Sequence, residues 1–337
     1  MSSLLKTWGR LSLDGEPGAS FVRLRIPEVA ACATYAAKGI ADDLEAILLE
    51  VKTESVPTMT DYPDARGLST TAEQLAPGRS GRTRITLALS DARYRDVFQS
   101  LAQDVVSKLE GAKDEADAVR CFIARLERWQ TFLRRHGSQE LSLEHRRGLL
   151  GELILIRDHL LKRCDGNMAV SAWKGCHGAN HDFQLRHGSI EVKTTSSNTP
   201  HAFHVSNIGQ LDSANPHRLF IFLVLVEESE AGDLSLPEVI DSLRNELEGG
   251  AVSTLEDCLV EAGYLENQRE AYASPRYSIR RVRFFSVDES FPRLREHALP
   301  TGVEEVQYQV AIAACAAFET SASVVLDTVV GATGAAQ

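Results

Sequence analysis

The sequence predicts an α/β protein whose mixed sheet is flanked by helices, with an N-terminal α+β lobe before it and a C-terminal α+β extension after it. The run from 218 to 227 is apolar at every position between its two charged end residues, as is typical of a central strand buried on both faces. Long segments with helical periodicity stand on either side of short strand-like segments. We expect a lobe at 1–140, a main domain at 141–320 and a flexible tail at 321–337.

The composition is that of a globular protein: of 337 residues, 43% are hydrophobic and 25% are charged, and the net charge is −11. The longest apolar stretch, 219–226, is too short to span a bilayer. The N-terminus does not have the pattern of a signal peptide. The six cysteines form no Cys-x-x-Cys pair, which favours reduced thiols over a disulfide scaffold. We therefore expect a cytoplasmic protein without a membrane segment.

The first 140 residues predict strands followed by two amphipathic helices. Alternating or apolar runs indicate the strands, and the stretch 53–82, rich in Pro, Gly, Ser and Thr, predicts one long loop or two short ones. Apolar residues three and four apart indicate the helices. The predicted strands are 21–26, 46–51 and 83–89, and the predicted helices are 91–110 and 114–135.

A third helix is predicted over 143–163, with Leu149, Leu153, Ile156 and Leu160 on its apolar stripe. Glu152 lies on the same side of this helix as Leu149 and Ile156. A carboxylate beside a core-facing stripe needs a hydrogen-bond partner, an ion pair or a metal ion, unless it reaches the flank of the helix and is solvated. The spacing alone leaves both readings of Glu152 open.

The rest of the chain predicts short strands, a buried strand and a C-terminal extension. Gly188 ends a compact turn between two strand-like segments, which predicts a β-hairpin. The predicted strands are 169–173, 181–185, 189–194, 202–206 and 218–227, with a short helix at 208–214. The extension is predicted as helices 236–247 and 252–262, strands 277–287 and 303–313, and a tail of small residues from 320.

The predicted hairpin carries the clearest candidates for a functional site. Alternate residues of a strand share a face, so Glu191 and Lys193 project together while Ile190 and Val192 point into the core. The turn can bring Asp182 alongside Glu191. Two close carboxylates repel each other, and a divalent cation with a preference for oxygen ligands, Mg²⁺ or Mn²⁺, would relieve that repulsion. The alternative is a surface ion pair between Glu191 and Lys193, with Asp182 capping a turn.

These residues carry a resemblance. Asp182 and Glu191-Val-Lys193 resemble the bipartite motif of PD-(D/E)XK nucleases, and Glu152 resembles the acidic residue that many of them carry on a preceding helix. The order of elements is similar to their restriction-endonuclease-like αβββαβ core. Further segments resemble a bacterial family grouped with this superfamily: Gly148-Leu-Leu-Gly-Glu-Leu153, Trp173-Lys-Gly175, His181-Asp-Phe183, Glu191-Val-Lys-Thr194, Gln210-Leu211, Phe291-Pro-Arg-Leu294 and Val303-Glu-Glu-Val-Gln-Tyr308.

The resemblance implies Mg²⁺-dependent or Mn²⁺-dependent hydrolysis of DNA phosphodiesters. By this resemblance Asp182, Glu191 and Lys193 are catalytic, and Asp182, Glu191 and the carbonyl of Val192 are metal ligands. Glu152 would bind a second metal ion or a water in its coordination shell. Lys193 would orient the attacking water and offset charge on the phosphate.

One departure from the family motif is His181, which stands where the motif has proline. Proline provides no ligand, so we do not interpret His181 as a loss of activity, and His181 is a candidate for contact with a phosphate. Thr194, Ser206 and Gln210 lie near predicted strand ends and are further candidates for contact with a nucleic acid. Ordinary loop and cap hydrogen bonds are the alternative for these three.

Charge is unevenly distributed along the chain. The stretch 120–220 has 14 Lys and Arg against 9 Asp and Glu and contains nine of the ten histidines. This favours an anionic ligand for the middle of the chain, although chance clustering on a solvated face is the alternative. Arg134, Arg135, Arg146 and Arg147 could contact phosphates, but for any one of them solvation is the simpler role.

The overall acidity argues against tight autonomous binding of DNA. We therefore expect a nuclease directed by partner proteins. The resemblance implies methyltransferases and ATPases of a restriction or anti-phage system as partners, and a homodimer would let one chain cut each strand. The alternative is a non-catalytic scaffold subunit that keeps the nuclease fold.

A second candidate metal site is formed by Cys176 and His177, with His181 nearby. This pattern could indicate zinc, but no second pair of ligands occurs in the sequence, so small structural roles are the simpler interpretation. Hydrolysis by Cys176 and His177 is a remote alternative, because neighbours on a strand point to opposite faces.

Overall fold

The structure is a computed structural model that describes residues 3–12, 19–57, 62, 67–75, 81–137, 140–196, 202–212 and 218–331. The chain forms two compact units. The first comprises Met1–Gln139 with Leu265–Asn267, and the second comprises Glu140–Tyr264 with Gln268–Gln337. Among the described helices, none has both the length and the apolar character needed to cross a membrane.

The first unit has an antiparallel five-stranded sheet with the strand order β1-β2-β3-β5-β4. Its central strand β3 is buried, and Glu50 on that strand is compensated by Arg23 at 2.5 Å and Arg84 at 3.1 Å. The elements are α1 (Ser3–Gly9), β1 (Phe21–Arg25), β2 (Ala33–Gly39), β3 (Glu45–Lys52), β4 (Leu68–Gln74), β5 (Arg82–Leu89), α2 (Arg95–Leu109) and α3 (Glu115–His136).

The three strands and two helices predicted for this lobe are present, and the structure adds α1, β2 and β4. Strand β4 falls inside the stretch 53–82 that was predicted as loop, so that prediction was wrong for Leu68–Gln74. The strand is an edge strand with mostly exposed side chains, so it lacks the apolar alternation on which strand prediction depends. Residues 58–61, 63–66 and 76–80 of this stretch lie outside the described residues.

The second unit holds a mixed sheet with helices around it. Its main sheet has the strand order β12-β10-β9-β7-β6, and β8 and β11 form a separate antiparallel pair. The elements are α4 (Leu143–Leu155), α5 (Gly166–Ser171), β6 (Phe183–Leu185), β7 (Gly188–Ser196), β8 (Ala202–Val205), β9 (Arg218–Ser229), α6 (Leu236–Glu246), α7 (Gly250–Glu261), β10 (Arg276–Val287), β11 (Tyr308–Ala311), β12 (Glu319–Thr320) and α8 (Ala322–Val330).

Strand β9 is the buried central strand that its apolar run predicts. It pairs parallel with β7 and antiparallel with β10. Its alternate residues pack into two different hydrophobic clusters, with Phe220 and Phe222 in one and Ile221 and Leu223 in the other. A strand with an apolar core on both faces has no position for a polar residue, which explains its unbroken run.

The predicted hairpin is also present. Strands β6 and β7 are antiparallel, with Phe183 opposite Ile190 and Leu185 opposite Gly188. Gly188 is needed for packing, because a Cβ on this residue would lie 2.6 Å from the carbonyl oxygen of Arg218 on β9. The hairpin is therefore held tightly against the central strand.

The predicted strand at 169–173 was wrong. Residues Gly166–Ser171 form α5, whose N-cap Asp165 accepts a hydrogen bond from the backbone N–H of Met168 at 3.0 Å. A short apolar run fits a helix and a strand equally, and the capping residue decides for the helix. Without this strand, β6 and β7 are followed along the chain by β8, which lies outside the main sheet.

Three further predictions need correction. The helix predicted at 208–214 is a single 3₁₀ turn, Ile208–Gln210, and 213–217 lie outside the described residues. The strand predicted at 303–313 is limited to β11, which is followed by a 3₁₀ segment at Ile312–Phe318. The tail predicted to be flexible from 321 contains α8, which buries Val325, Leu326 and Val329.

Helix α4 lies directly against β7, and a glycine allows this close approach. A Cβ at Gly151 would lie 2.0 Å from Oγ1 of Thr194 and 3.2 Å from Cγ1 of Val192. After Leu155 the helix continues as a π-helical turn, Ile156–Leu160, in which both end residues are buried. The contact at Gly151 brings Glu152 close to the strand that carries Glu191 and Lys193.

Candidate active site

The end of the β6–β7 pairing brings Asp182 to Glu191. The ladder ends with Phe183 opposite Ile190, so Asp182 and Glu191 are the next residues on the two strands. The side chain of Asp182 then takes the place of a further ladder bond, since its Oδ2 accepts a hydrogen bond from the backbone N–H of Val192 at 2.7 Å. A short β6 thus leaves a carboxylate where a longer strand would have put a backbone carbonyl.

The backbone of Asp182 is held from the other side by the segment after α5. Its carbonyl oxygen accepts hydrogen bonds from the backbone N–H groups of Lys174 at 2.7 Å and Gly175 at 2.9 Å. A Cβ at Gly175 would lie 2.6 Å from Oδ1 of Asp182, so only glycine fits without displacement of the carboxylate. Asp182 is therefore fixed through both its main chain and its side chain.

Glu191 and Lys193 lie side by side on β7 and are buried. The exposed fraction is 1% for Glu191 and 9% for Lys193. Nζ of Lys193 donates hydrogen bonds to Oε1 of Glu191 and to Oε1 of Gln210, both at 2.8 Å. An ion pair this deeply buried differs from the surface pair considered as the alternative, because burial of both charges carries a desolvation cost.

Glu152 reaches the same region from α4. One of its carboxylate oxygens accepts a hydrogen bond from the indole Nε1 of Trp173, which is completely buried. Since Trp173 precedes Lys174 and Gly175, a single segment holds both Glu152 and Asp182. Of the two readings of Glu152 that the sequence left open, the structure supports the partnered one.

Burial and mutual repulsion control the protonation of these carboxyls. Burial, opposed by the hydrogen bond from Val192 and by the Lys193 charge, raises the pKa of Asp182 to about 6. Burial and then the nearby Asp182 raise the pKa of Glu191 well above its usual range, and the same two causes raise that of Glu152. Three carboxyls with raised pKa values around one lysine form an electrostatically strained group.

The donor atoms are of the kind that a hard divalent cation prefers, but in the described residues the oxygens of Glu152, Asp182 and Glu191 are not all within 4.8 Å of one another. Oε2 of Glu191 is buried and has no hydrogen-bond partner, which is costly for a carboxylate unless an additional ligand satisfies it. Asp182 and Glu152 provide further carboxylate oxygens, and such oxygens suit Mg²⁺ and Mn²⁺. The contact of Val192 with Asp182 is made by the backbone N–H of Val192. The carbonyl oxygen of Val192 therefore stays a predicted metal ligand.

Comparison with known proteins gives one family match. Residues 4–313 match the family model described as "Putative PD-(D/E)XK family member, (DUF4420)". The chain belongs to this family. No curated protein and no solved structure matches the chain.

The PD-(D/E)XK family match extends across both units, from α1 to the 3₁₀ segment after β11. The resemblance found in the sequence is therefore confirmed at the level of the family. The fold agrees at a coarser level, as an α/β structure with mixed and antiparallel sheets flanked by helices.

The four residues expected to contact nucleic acid lie in different environments. The hydroxyl of Thr194 is buried against Gly151 and has no hydrogen-bond partner, and its contact with nucleic acid stays a prediction. Gln210 contacts Lys193, and its Oε1 also accepts the backbone N–H of Ser206 at 3.1 Å. Ser206 itself is exposed at the end of β8.

His181 directly precedes Asp182 in the chain. Its Nε2 is buried without a hydrogen-bond partner, and burial lowers the pKa of its imidazole. A neutral imidazole with an unsatisfied nitrogen can donate to or accept from a ligand according to its tautomer. His181 therefore stays a candidate for contact with substrate.

Two of the arginines considered for phosphate contacts have structural roles. The Arg146 guanidinium donates to the carbonyl oxygens of Leu141 at 2.7 Å and Ala271 at 2.8 Å and stacks over the ring of Tyr272. Arg147 pairs with Glu228 at 2.7 Å. Since both guanidinium groups are already engaged by the protein, neither is a good candidate for binding DNA.

The contacts that Trp173 and Gln210 make with charged residues of the site were not predicted from the sequence, and contact of Gln210 with nucleic acid stays a prediction. Trp173 holds Glu152, and Gln210 holds Lys193. Both residues belong to segments that carry the family resemblance, Trp173-Lys-Gly175 and Gln210-Leu211. That signal was present, but it gave no indication of which charged residue each one contacts.

Proposed function

We propose that this protein is an endonuclease that hydrolyses DNA phosphodiesters with Mg²⁺ or Mn²⁺, in the cytoplasm of a bacterium, as part of a restriction or anti-phage system. Membership of the PD-(D/E)XK family supports the nuclease class. The single observation that carries the proposal is the buried Glu191, which has one oxygen on Lys193 and the other without a partner. A carboxylate in that state is suited to bind a cation.

The cation would be held by Asp182 and Glu191, with Glu152 and the carbonyl of Val192 as further ligands. When bound, it supplies positive charge at the scissile phosphate and makes a water a better nucleophile at neutral pH. Burial of the site strengthens each of these electrostatic interactions relative to bulk water.

The other roles in catalysis would be filled by side chains of the site. Lys193 orients the attacking water and compensates charge on the phosphate, and Gln210 keeps its ammonium in place. Lysine suits this position because its ammonium is a compact charge with three donors. Asp182, fixed at its main chain and side chain, provides a rigid ligand.

Targeting would depend on other proteins. A net charge of −11 disfavours tight binding to a polyanion, so we propose that partners such as a methyltransferase and an ATPase bring the nuclease to DNA. The local excess of Lys and Arg over 120–220 supports contact by the middle of the chain. A homodimer would provide one site for each strand.

Cleavage of plasmid DNA and of a linear single strand with Mg²⁺ or Mn²⁺ tests the proposal. Asp182→Asn, Glu191→Gln and Lys193→Met are expected to reduce cleavage roughly a hundredfold or more, because each removes charge from the reacting centre. Lys162→Met and Glu304→Gln, at exposed positions, are matched controls expected to cut like the wild type. Wild-type cleavage by all three site variants would refute the assignment.

The alternative is a scaffold subunit that keeps the fold without catalysis. The observation in its favour is that the existing contacts of Asp182 with Val192 and of Lys193 with Glu191 make the site partly self-sufficient. Calorimetry with Mn²⁺ separates the two: a folded wild-type chain that binds no Mn²⁺ favours the scaffold. Binding that is lost in Asp182→Asn favours the nuclease, even when cleavage awaits a partner.

A further inference from the structure

Three potential metal ligands meet in the second unit, away from the carboxylates. Sγ of Cys176, one ring nitrogen of His177 and Sγ of Cys258 all lie within 4.8 Å of one another. In a tetrahedral zinc site, with Zn–S of about 2.3 Å and Zn–N of about 2.0 Å, ligand atoms are roughly 3.5–4 Å apart. The three atoms therefore need only small side-chain movements to reach the geometry of bound zinc.

Two different elements bring these residues together. Cys176 and His177 lie in a 3₁₀ turn, Gly175–His177, which ends at Gly178 in the left-handed conformation with φ 79°. Cys258 lies on α7, which packs against this turn. Because the turn is helical rather than extended, the side chains of two consecutive residues can reach one point. This removes the objection that neighbours on a strand point to opposite faces.

The burial pattern is that of a site closed on one side and open on the other. Cys176 is 4% exposed and Cys258 is 2% exposed, and both belong to the main hydrophobic cluster of this unit. His177 is exposed, so its ring can close over a metal ion that enters from solvent. The thiol of Cys176 now donates to the carbonyl oxygen of Trp173 at 3.1 Å, a weak bond that a metal–thiolate bond would replace.

The ligand types select the metal. Thiolates and imidazole favour zinc, whereas Mg²⁺ and Mn²⁺ favour the oxygen ligands of Asp182 and Glu191. We propose that Cys176, His177 and Cys258 form a zinc site that is separate from the carboxylate site. Solvent or the carboxylate of Glu261, one turn further along α7, completes the tetrahedron. Each thiol gives its proton to solvent as it binds, and the imidazole binds in its neutral form.

The position of the site gives the zinc a structural role. The 3₁₀ turn follows Lys174 and includes Gly175, whose N–H groups hold the carbonyl oxygen of Asp182. A zinc ion shared between this turn and α7 would fasten the segment that supports Asp182 to the core. We expect zinc to raise the melting temperature of the chain through preferential binding to the folded state.

Cobalt(II) in place of zinc provides the test. The purified full chain, freed of metal under reducing conditions, is titrated with Co²⁺ and then with Zn²⁺. Bound cobalt is expected to produce the thiolate-to-cobalt charge-transfer absorption and the intense visible bands of a tetrahedral site at one equivalent, and zinc is expected to abolish them. Carboxylate ligands cannot produce the thiolate absorption, so cobalt at Asp182 and Glu191 does not interfere.

Variants show which residues produce the cobalt absorption. Cys258→Ser is expected to lose the charge-transfer absorption in large part, and His177→Ala is expected to weaken zinc binding at least about tenfold. Cys315→Ser is the matched control, because Cys315 is also fully buried but lies in a different cluster. Asp182→Asn should keep the full absorption, which separates this proposal from the proposed nuclease site.

Three results would overturn the proposal. One is a folded, reduced wild-type chain that shows no thiolate absorption with cobalt. Another is a thiolate absorption in His177→Ala that forms with the same affinity for cobalt as in the wild type. This variant decides the matter if Cys258→Ser does not fold, because His177 is exposed and its replacement leaves the core intact. The third is a Cys176–Cys258 disulfide in the chain isolated with an alkylating agent, together with no binding of zinc after reduction.

Discussion

At the scale of single residues, the site is a set of charged groups held by neutral neighbours. Trp173 holds Glu152, the Val192 N–H holds Asp182, and Gln210 holds Lys193. Each neutral partner restricts one charged side chain to one position. Such restriction matters because a small displacement of a reacting group costs a large factor in rate.

Gln210→Ala tests this restriction at Lys193. The variant removes one of the two acceptors of the lysine ammonium and leaves Glu191 as the other. We expect cleavage to fall roughly 10- to 100-fold, with little change in the affinity for Mn²⁺, because the carboxylates are untouched. Gln184→Ala, at an exposed position on β6, is the matched control. Equal rates for Gln210→Ala and wild type would show that Lys193 does not need this partner.

At the scale of elements, the decisive contact is that of α4 with β7. Only glycine at 151 lets the helix backbone approach the strand, and this approach brings Glu152 to the hairpin. In the π-helical turn that follows α4, the ring of His159 packs edge-on against Phe222 and Phe284. The position of Glu152 is thus a consequence of how one helix packs.

Gly151→Ala should destabilise the protein by about 1–3 kcal/mol, because the added methyl group overlaps Oγ1 of Thr194. On a Thr194→Ala background the cost should shrink, since that substitution removes the overlapping oxygen, and a coupling of at least about 1 kcal/mol is expected. Urea unfolding of the two single variants and the double variant measures this coupling.

Gly148→Ala is the control on the same helix. Nothing lies within 4 Å of a Cβ at this position, so alanine should stabilise the chain by up to about 1 kcal/mol through its better helix propensity. If Gly151→Ala is as stable as Gly148→Ala, the close contact of α4 and β7 does not exist in solution.

At the scale of the whole molecule, the raised pKa values of the buried carboxyls make stability depend on pH. A carboxyl whose pKa is higher in the folded state than in the unfolded state stabilises the fold while it is protonated. This contribution is complete below the unfolded pKa and is lost as the pH rises through the folded pKa. For Asp182 the window extends from about 4 to the folded pKa of about 6.

Asp182→Asn should therefore change the pH dependence of unfolding in a metal-free chain. Between pH 4 and 7 the free energy of unfolding of the wild type should fall by on the order of 2 kcal/mol relative to the variant, as Asp182 ionises. Asparagine keeps an acceptor for the Val192 N–H and carries no charge. Mg²⁺ should restore stability to the wild type at pH 7 and not to the variant. Parallel pH profiles for the two proteins would contradict the buried position of Asp182.

The sequence predicts those parts of the molecule that depend on local pattern. The hairpin follows from the alternation around Glu191 and from Gly188, and the central strand follows from its apolar run. The partners of Lys193 and Glu152 could not be found in this way, because Gln210 and Trp173 reach them through tertiary packing. The same holds for Cys258, which meets Cys176 only because α7 packs on the 3₁₀ turn that carries Cys176. Helix α8 was missed because its small residues resemble those of a flexible tail.

The shortness of β6 has a consequence for how the protein avoids self-association. After Ile190, β7 has no strand partner on the β6 side among the described residues, and an open edge of this kind can recruit a strand from another molecule. The carboxylate of Asp182 accepts the N–H of Val192, which lies just beyond the end of the ladder, and places a charge beside it. We therefore expect the same side chain that would bind a cation to oppose intermolecular β-pairing at this edge. Asparagine preserves the cap on the Val192 N–H, whereas alanine would both remove a ligand and open a site for aggregation.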